Sequence, residues 1–181
     1  MPDAPDFPAL PLAALERYAA GRRLPPVERW DPPHCGDSEM RIARDGAWFH
    51  QGSPIRRPEL VRLFSTILRR EADGGYVLVT PAEKLAIAVE DAPFVAVEMK
   101  REGDGRAARL AFRLNTGDVV VAGPGHPLRL TDERPYLHVR GGLDALVARP
   151  VYYELAELAL AGGDAPPGVW SDGAFFAMDA A

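Results

Sequence analysis

"MRIARDGAWFH", residues 40–50, lies without a gap over "LRLTDERPYLH", residues 128–138, so that Arg41 falls on Arg129, Trp48 on Tyr136 and His50 on His138. In each stretch apolar and polar side chains alternate on either side of a polar break, Arg44-Asp45-Gly46 in the first. That is the pattern of two half-buried strands joined by a tight turn. After four additional residues in the second copy, Arg57-Pro58 pairs with Arg149-Pro150, and an amphipathic run containing Leu63 or Leu155 follows. Proline lacks an N–H and has a preset φ, which suits it to a first helical turn. The chain is therefore expected to be α+β, with a duplicated unit of strand, turn, strand, loop and helix.

Working outward, Leu60, Val61, Phe64, Ile67 and Leu68 recur at helical spacing and predict a helix over about 58–71, ended by Gly74-Gly75. "YVLVT", "KLAIAVE", "FVAVEMK", "AARLAFRLN" and "DVVVAG" then read as successive strands of an antiparallel middle sheet. Glu90-Asp91-Ala92-Pro93 reads as a hairpin turn, with a polar rim facing the second half and Lys84 nearby as its functional version. "RPVYYELAELALAGG" predicts a helix from Pro150 to Gly162 whose apolar face is Tyr153, Leu155, Leu158 and Ala159. A first helix is expected at "LAALERYAAG", with Leu12, Leu15 and Ala19 on one face and Gly21 as its stop. The chain divides into an N-terminal helix and proline-rich arm (1–34), a first α+β half (35–90), a second half (91–165) and a C-terminal tail (166–181).

At 181 residues and 47% hydrophobic, the chain can bury a sound core. Its net charge of −5 argues against nucleic acid or an anionic membrane surface as main partner, since both demand concentrated positive charge. One cysteine, Cys35, rules out an internal disulfide and fits a reducing, cytoplasmic setting. "MPDAPDFPAL" lacks the apolar core of a signal peptide, and no stretch approaches the roughly 20 apolar residues of a membrane helix.

Metal and cofactor signatures are missing. His34, His50, His126 and His138 have no ligating spacing, and no paired cysteines, GxSxG, GxGxxG or P-loop pattern accompanies them. No metal and no cofactor are expected. His50 and His138 read as partly buried histidines bonded to backbone carbonyls, and Cys35 as an incidental loop cysteine. The basic residues carry more chemistry. Arg56 and Arg57 immediately precede a helix whose N-terminal N–H groups and dipole favour an anion. Thr80 and Glu83 stand at capping-box spacing, so Thr80 organises a helical turn that presents Lys84 from a rigid platform. Asn115 and Asp118 in "NTGD" suit a tight turn.

Long blocks in order, "CGDSEMRIARDGAWFHQGSPIRRPELVRLFSTILRRE", "YVLVTPAEKLAIAVEDAPFVAVEM", "NTGDVVVAG", "HPLRL" and "RPYLHVRGGLDALVARPVYYEL", resemble the bacterial family called domain of unknown function 1285, over roughly residues 25–160. The resemblance implies a duplicated core, a C-terminal half like pleckstrin-homology domains, a ligand site between the halves, a nucleotide-like ligand and a signalling role. The expected function is non-enzymatic binding of a small anionic molecule, with Arg56, Arg57, Lys84, Asp91 and His50 as candidate contacts. Two alternatives stand beside it. One is a small enzyme on a phosphorylated or nucleotide substrate, with Asp91 or His50 as general base and Arg57 orienting the phosphate. The other is a protein-interaction module with an exposed apolar or basic patch.

Overall fold

The computed structural model describes residues 6–178; the first five residues of the acidic terminus and the last three of the tail lie outside them. In chain order the elements are α1 (Leu12–Gly21), β1 (His34–Ile42), β2 (Trp48–His50), β3 (Ser53–Pro54), α2 (Pro58–Thr66), β4 (Leu68–Arg70), β5 (Tyr76–Val79) and β6 (Glu83–Val89). There follow β7 (Phe94–Glu102), β8 (Arg109–Leu114), β9 (Val119–Val121), β10 (Leu128–Thr131), β11 (Arg134–Arg140), β12 (Leu143–Val147), α3 (Arg149–Gly162), β13 (Gly168–Ser171) and β14 (Ala174–Ala177). No helix among the described residues is long and apolar enough to cross a membrane.

Two six-stranded sheets carry the fold, ordered β3-β2-β1-β6-β5-β4 and β10-β11-β12-β7-β8-β9. Both follow one path: three strands run outward by hairpins, three return, and the first and last meet in parallel at the centre, β1 with β6 and β7 with β12. The molecule is thus a duplicated, curled half-barrel.

The duplication runs in a different phase from the repeat of residues 40–50 and 128–138. By path, β1–β2 matches β7–β8, and β10–β11 matches β4–β5. Ile42 opposite Trp48 leaves residues 43–47 as the loop, whereas Thr131 opposite Arg134 leaves only Asp132 and Glu133, both at positive φ. The helices also differ in place: α2 joins the third and fourth strands of its half, and α3 follows the sixth. Alternation at period two is common to any half-buried hairpin, so one hairpin overlays another in sequence without being its counterpart.

The five middle strands are divided between the sheets rather than forming one, because residues 90–93 are the passage between halves and not a hairpin turn: β6 and β7 do not pair. Helix α2 stops at Thr66, short of residue 71. Arg69, buried, donates to the carbonyls of Val27 (2.8 Å) and Trp30 (2.7 Å), which holds residues 68–70 extended against β5. Thr80 organises a tight turn, not a helical one: its Oγ1 accepts from the Ala82 and Glu83 N–H groups (3.3 and 3.2 Å). Cys35 lies exposed on β1 opposite Lys84, not in a loop. Tyr153 points outward at 57% exposure, and Val151, Leu155 and Ala159 form the buried face of α3. Residues 168–177, within the region read as a tail, form a hairpin across Asp172-Gly173.

One contiguous core unites the halves, from Met40, Ile42 and Trp48 through Phe94, Phe112 and Leu137 to Leu155. Helix α1 packs its buried Leu12 and Leu15 on Ala111 and Val119, covering the other face of the second sheet. Each such leucine contributes about 1.5–3 kcal/mol.

Candidate functional site at the seam between the halves

The loop after β1 turns through Gly46, whose backbone has φ +86°. Asn115, in the turn after β8, donates from Nδ2 to the Gly46 carbonyl (3.3 Å) and accepts the Val95 N–H at Oδ1 (3.0 Å). This amide spans both halves and uses both its ends doing so. Beside it, residues 54–56, Pro58 and the following part of α2 wall a cavity of about 450 Å³ whose lining includes Trp48, Ile55, Arg56, Val61, Arg62 and Asn115.

The cavity is rich in donors. Arg62, half-buried, spends its Nε on the Thr116 carbonyl (3.1 Å), which leaves its terminal nitrogens without a carboxylate among the described residues. Arg56 is exposed on the rim, likewise without an ion pair among the described residues. Trp48 is 2% exposed, stacks on Phe64 with ring centroids 6.3 Å apart, and its Nε1–H has no acceptor among the described residues. A buried N–H without a partner loses its hydration uncompensated, about 1–3 kcal/mol, so native structures rarely leave one. The one carboxylate in the lining, Asp45, accepts the Ala47 N–H (3.0 Å).

A second polar cluster closes the same seam around Asp91. Its carboxylate accepts from Arg134 (2.8 Å) and the Tyr136 hydroxyl (2.7 Å), with Arg44 at 3.8 Å. Asp144, buried on β12, accepts from both terminal nitrogens of Arg129 (3.2 and 2.7 Å) and from His138 Nδ1 (3.1 Å). Arg70 reaches from the first half to the Gly142 carbonyl (3.2 Å), its guanidinium over the Tyr76 ring. A small cavity of about 180 Å³ remains between these groups. Burial, then the bond to Asp91, pushes the Tyr136 hydroxyl up; burial also raises Tyr76.

Burial pushes the Asp144 carboxyl up, but the Arg129 bonds and then the His138 bond outweigh it, holding it below the usual carboxylate range. A depressed pKa stabilises the fold wherever the unfolded aspartate, with its ordinary value of about 3.9, is ionised. That stability is present above pH 4 and is lost as pH falls through the folded value. Asp144→Asn is therefore expected to lower stability at pH 7 and to flatten its decline in acid, measured by urea denaturation at several pH values. An unchanged acid limb would remove Asp144 from this role.

The five residues singled out from sequence do not form one site. Arg56 lines the helix-start cavity; Arg57 is exposed on the helix-flanking turn and outside that lining. Lys84 pairs with Glu71 at 3.5 Å and lies opposite Cys35, whereas His50 lies opposite Met40. Five positions along β1 thus keep Lys84 about 17 Å from His50, and a similar length of β6 (Glu83–Val89) lies between Lys84 and Asp91, at about 3.3 Å per residue; Lys84 is also outside the lining of the helix-start cavity. His50 is exposed, and His138 bonds a carboxylate instead of a carbonyl; the histidine against a backbone carbonyl is His126, on His138 O (3.2 Å). Asp91 does face the second half, in the other cluster. Sequence reasoning missed Arg62, Trp48 Nε1, Arg129, Tyr136 and Asp144. Arg62 had a local signal, one helical turn after Pro58; the others meet only through strand pairing.

Family models agree with this division: the N-terminal domain of the family described as domain of unknown function (DUF1285) matches residues 25–92, and the DUF1285 C-terminal domain matches 93–178. The chain belongs to the DUF1285 family. A DUF1285 family protein from Silicibacter pomeroyi DSS-3 is 46% identical, with 90% of this chain and 93% of that one covered at a TM-score of 0.79. Another from Shewanella baltica OS155 is 28% identical, covering 66% of this chain and 91% of its own at a TM-score of 0.55. No curated protein matches the chain. The family boundary falls in the 90–93 passage between the two sheets, so each family domain is one half-barrel.

Proposed function

We propose that this DUF1285 protein is a non-enzymatic sensor that binds a small anionic, nucleotide-like or otherwise phosphorylated molecule between its halves and conveys occupancy to a signalling partner in the cytoplasm. The observation that carries the reading is the buried Trp48 Nε1–H, which has no acceptor among the described residues, beside a cavity onto which Arg56 and Arg62 bring charge with no carboxylate partner among those residues. Donors without acceptors call for an acceptor-rich guest, and a guanidinium adds a planar fork suited to phosphate. The volume falls in the range of ligand pockets, about 300–1,000 Å³. Binding is favoured over turnover because both candidate bases lie elsewhere: Asp91 is engaged by Arg134 and Tyr136, and His50 is exposed on β2. The second half, six strands followed by α3, is the part we read as pleckstrin-homology-like. The single cysteine supports a reducing compartment.

The test is a thermal-shift screen of nucleotides and phosphate monoesters, followed by calorimetry of the best binder. Arg62→Ala is expected to weaken it by about 1.5–3 kcal/mol, the range for hydrogen bonds to charged groups, with Arg57→Ala unchanged. Equal affinity of wild type and Arg62→Ala would remove the ligand from this cavity.

A further inference from the structure

A third cavity, of about 430 Å³, lies wholly within the second half and shares no lining residue with the two at the seam. The end of α3 and β13 close over the start of β8 to form it. Its floor is apolar: Ala108, Leu110 and Val169 are buried and Leu158 is half-buried. Its charge is confined to the rim and is divided. Arg101 and Arg106 stand on the side of the β7–β8 connection, and Asp164 stands beyond the C-terminal end of α3. The last carbonyls of a helix carry partial negative charge, so an anionic group is repelled from the α3 side and drawn to the arginines.

The two arginines are not equivalent. Arg101 is engaged with Asp104 and the Gly103 carbonyl. Arg106 lies over the Trp170 ring, 4.9 Å from its centroid, and has no carboxylate partner among the described residues. A guanidinium held over a ring still has N–H donors to spare, the fork that grips a carboxylate. We infer that this cavity binds an amphipathic carboxylate, with the apolar body over Leu110, Leu158 and Val169 and the head on Arg106. This site is independent of the seam ligand and adds a second binding function in the C-terminal half.

The full chain, titrated with octanoate and followed by heteronuclear NMR, tests it. Saturable shifts are expected at the Trp170 indole N–H. 1-Octanol, with the same body and no charge, should bind roughly ten- to hundred-fold more weakly, the factor a charged hydrogen bond supplies. Arg106→Gln should lower octanoate affinity by a similar factor and leave octanol unchanged. Ala161→Phe, at an exposed lining position of α3, should plug the cavity and abolish both. Arg62→Ala in the seam should alter neither, so loss of the seam ligand does not count against this site. Absence of saturable binding, equal binding of octanoate and octanol, or unchanged binding in Ala161→Phe would each overturn the proposal. Inorganic phosphate reproducing the same shifts would also overturn it, because the apolar floor would then play no part.

Discussion

Phe94→Ala is expected to lower the unfolding free energy by about 3–5 kcal/mol, the cost of deleting a buried aromatic side chain and leaving its cavity. Phe94 has 0% exposure and begins β7, the first strand after the passage between halves. It pairs with Ala145 on β12 at the parallel centre of the second sheet. Its ring also lies under Arg140, 5.3 Å from the guanidinium carbon; burial holds Arg140 below the usual arginine range, and its NH2 donates to the Ser65 carbonyl (2.6 Å) of the first half. Loss of the ring therefore removes core volume and a support beneath a charge that joins the halves. Urea denaturation measures it, and because one core runs through both halves a single transition is expected. Phe94→Leu, which retains much of the volume, should cost much less. A shift below about 1 kcal/mol for Phe94→Ala would show that this wall of the core collapses freely.

Gly46→Ala is expected to cost about 2–6 kcal/mol, from backbone strain and overpacking together. At φ +86° any side chain is strained, by about 1–3 kcal/mol. A Cβ there would lie 2.6 Å from Asn115 Nδ2 and 2.9 Å from Val95 Cγ2, both from the second half, which adds an overpacking cost of about 1–3 kcal/mol. The two effects separate in a double-mutant cycle. Asn115→Ala relieves the nearer contact and loses its two hydrogen bonds, so the pair should be less damaging than the sum of the single changes. Strict additivity would mean that the Gly46–Asn115 approach carries no energy, leaving only the backbone strain.

Much of the local structure was legible because it rests on local physics. Leu12 and Leu15 share a helical face and are buried by the helix they predict, and Pro58 and Pro150 mark the two helix starts. Gly46 and Gly117 turn where their sequence contexts place turns. The C-terminal hairpin had its own signal, Asp172-Gly173 between "VWS" and "AFF", passed over in a region read as tail.

Strand pairing lay beyond these signals. Residues 84–90 and 94–100 look alike as strands, yet they enter different sheets, because each finds its parallel neighbour far away in sequence: β6 on β1, and β7 on β12. That choice made the acidic segment at 90–93 an inter-half passage and delivered Asp91 to Arg134 and Tyr136. It also carried Lys84 to Glu71, outside the lining of the helix-start cavity.

By itself, then, the sequence determined an α+β chain of short turns, amphipathic helices and alternating strands, with arginines at the start of its second helix. Periodicity and turn chemistry act over a few residues and can be read there. Only the tertiary structure decided the phase of the duplication and which charges meet. Alternation marks which face of a strand is buried but not which strand lies beside it, and Asn115 joins Trp48, Arg56 and Arg62 only once the two half-barrels are closed on one core.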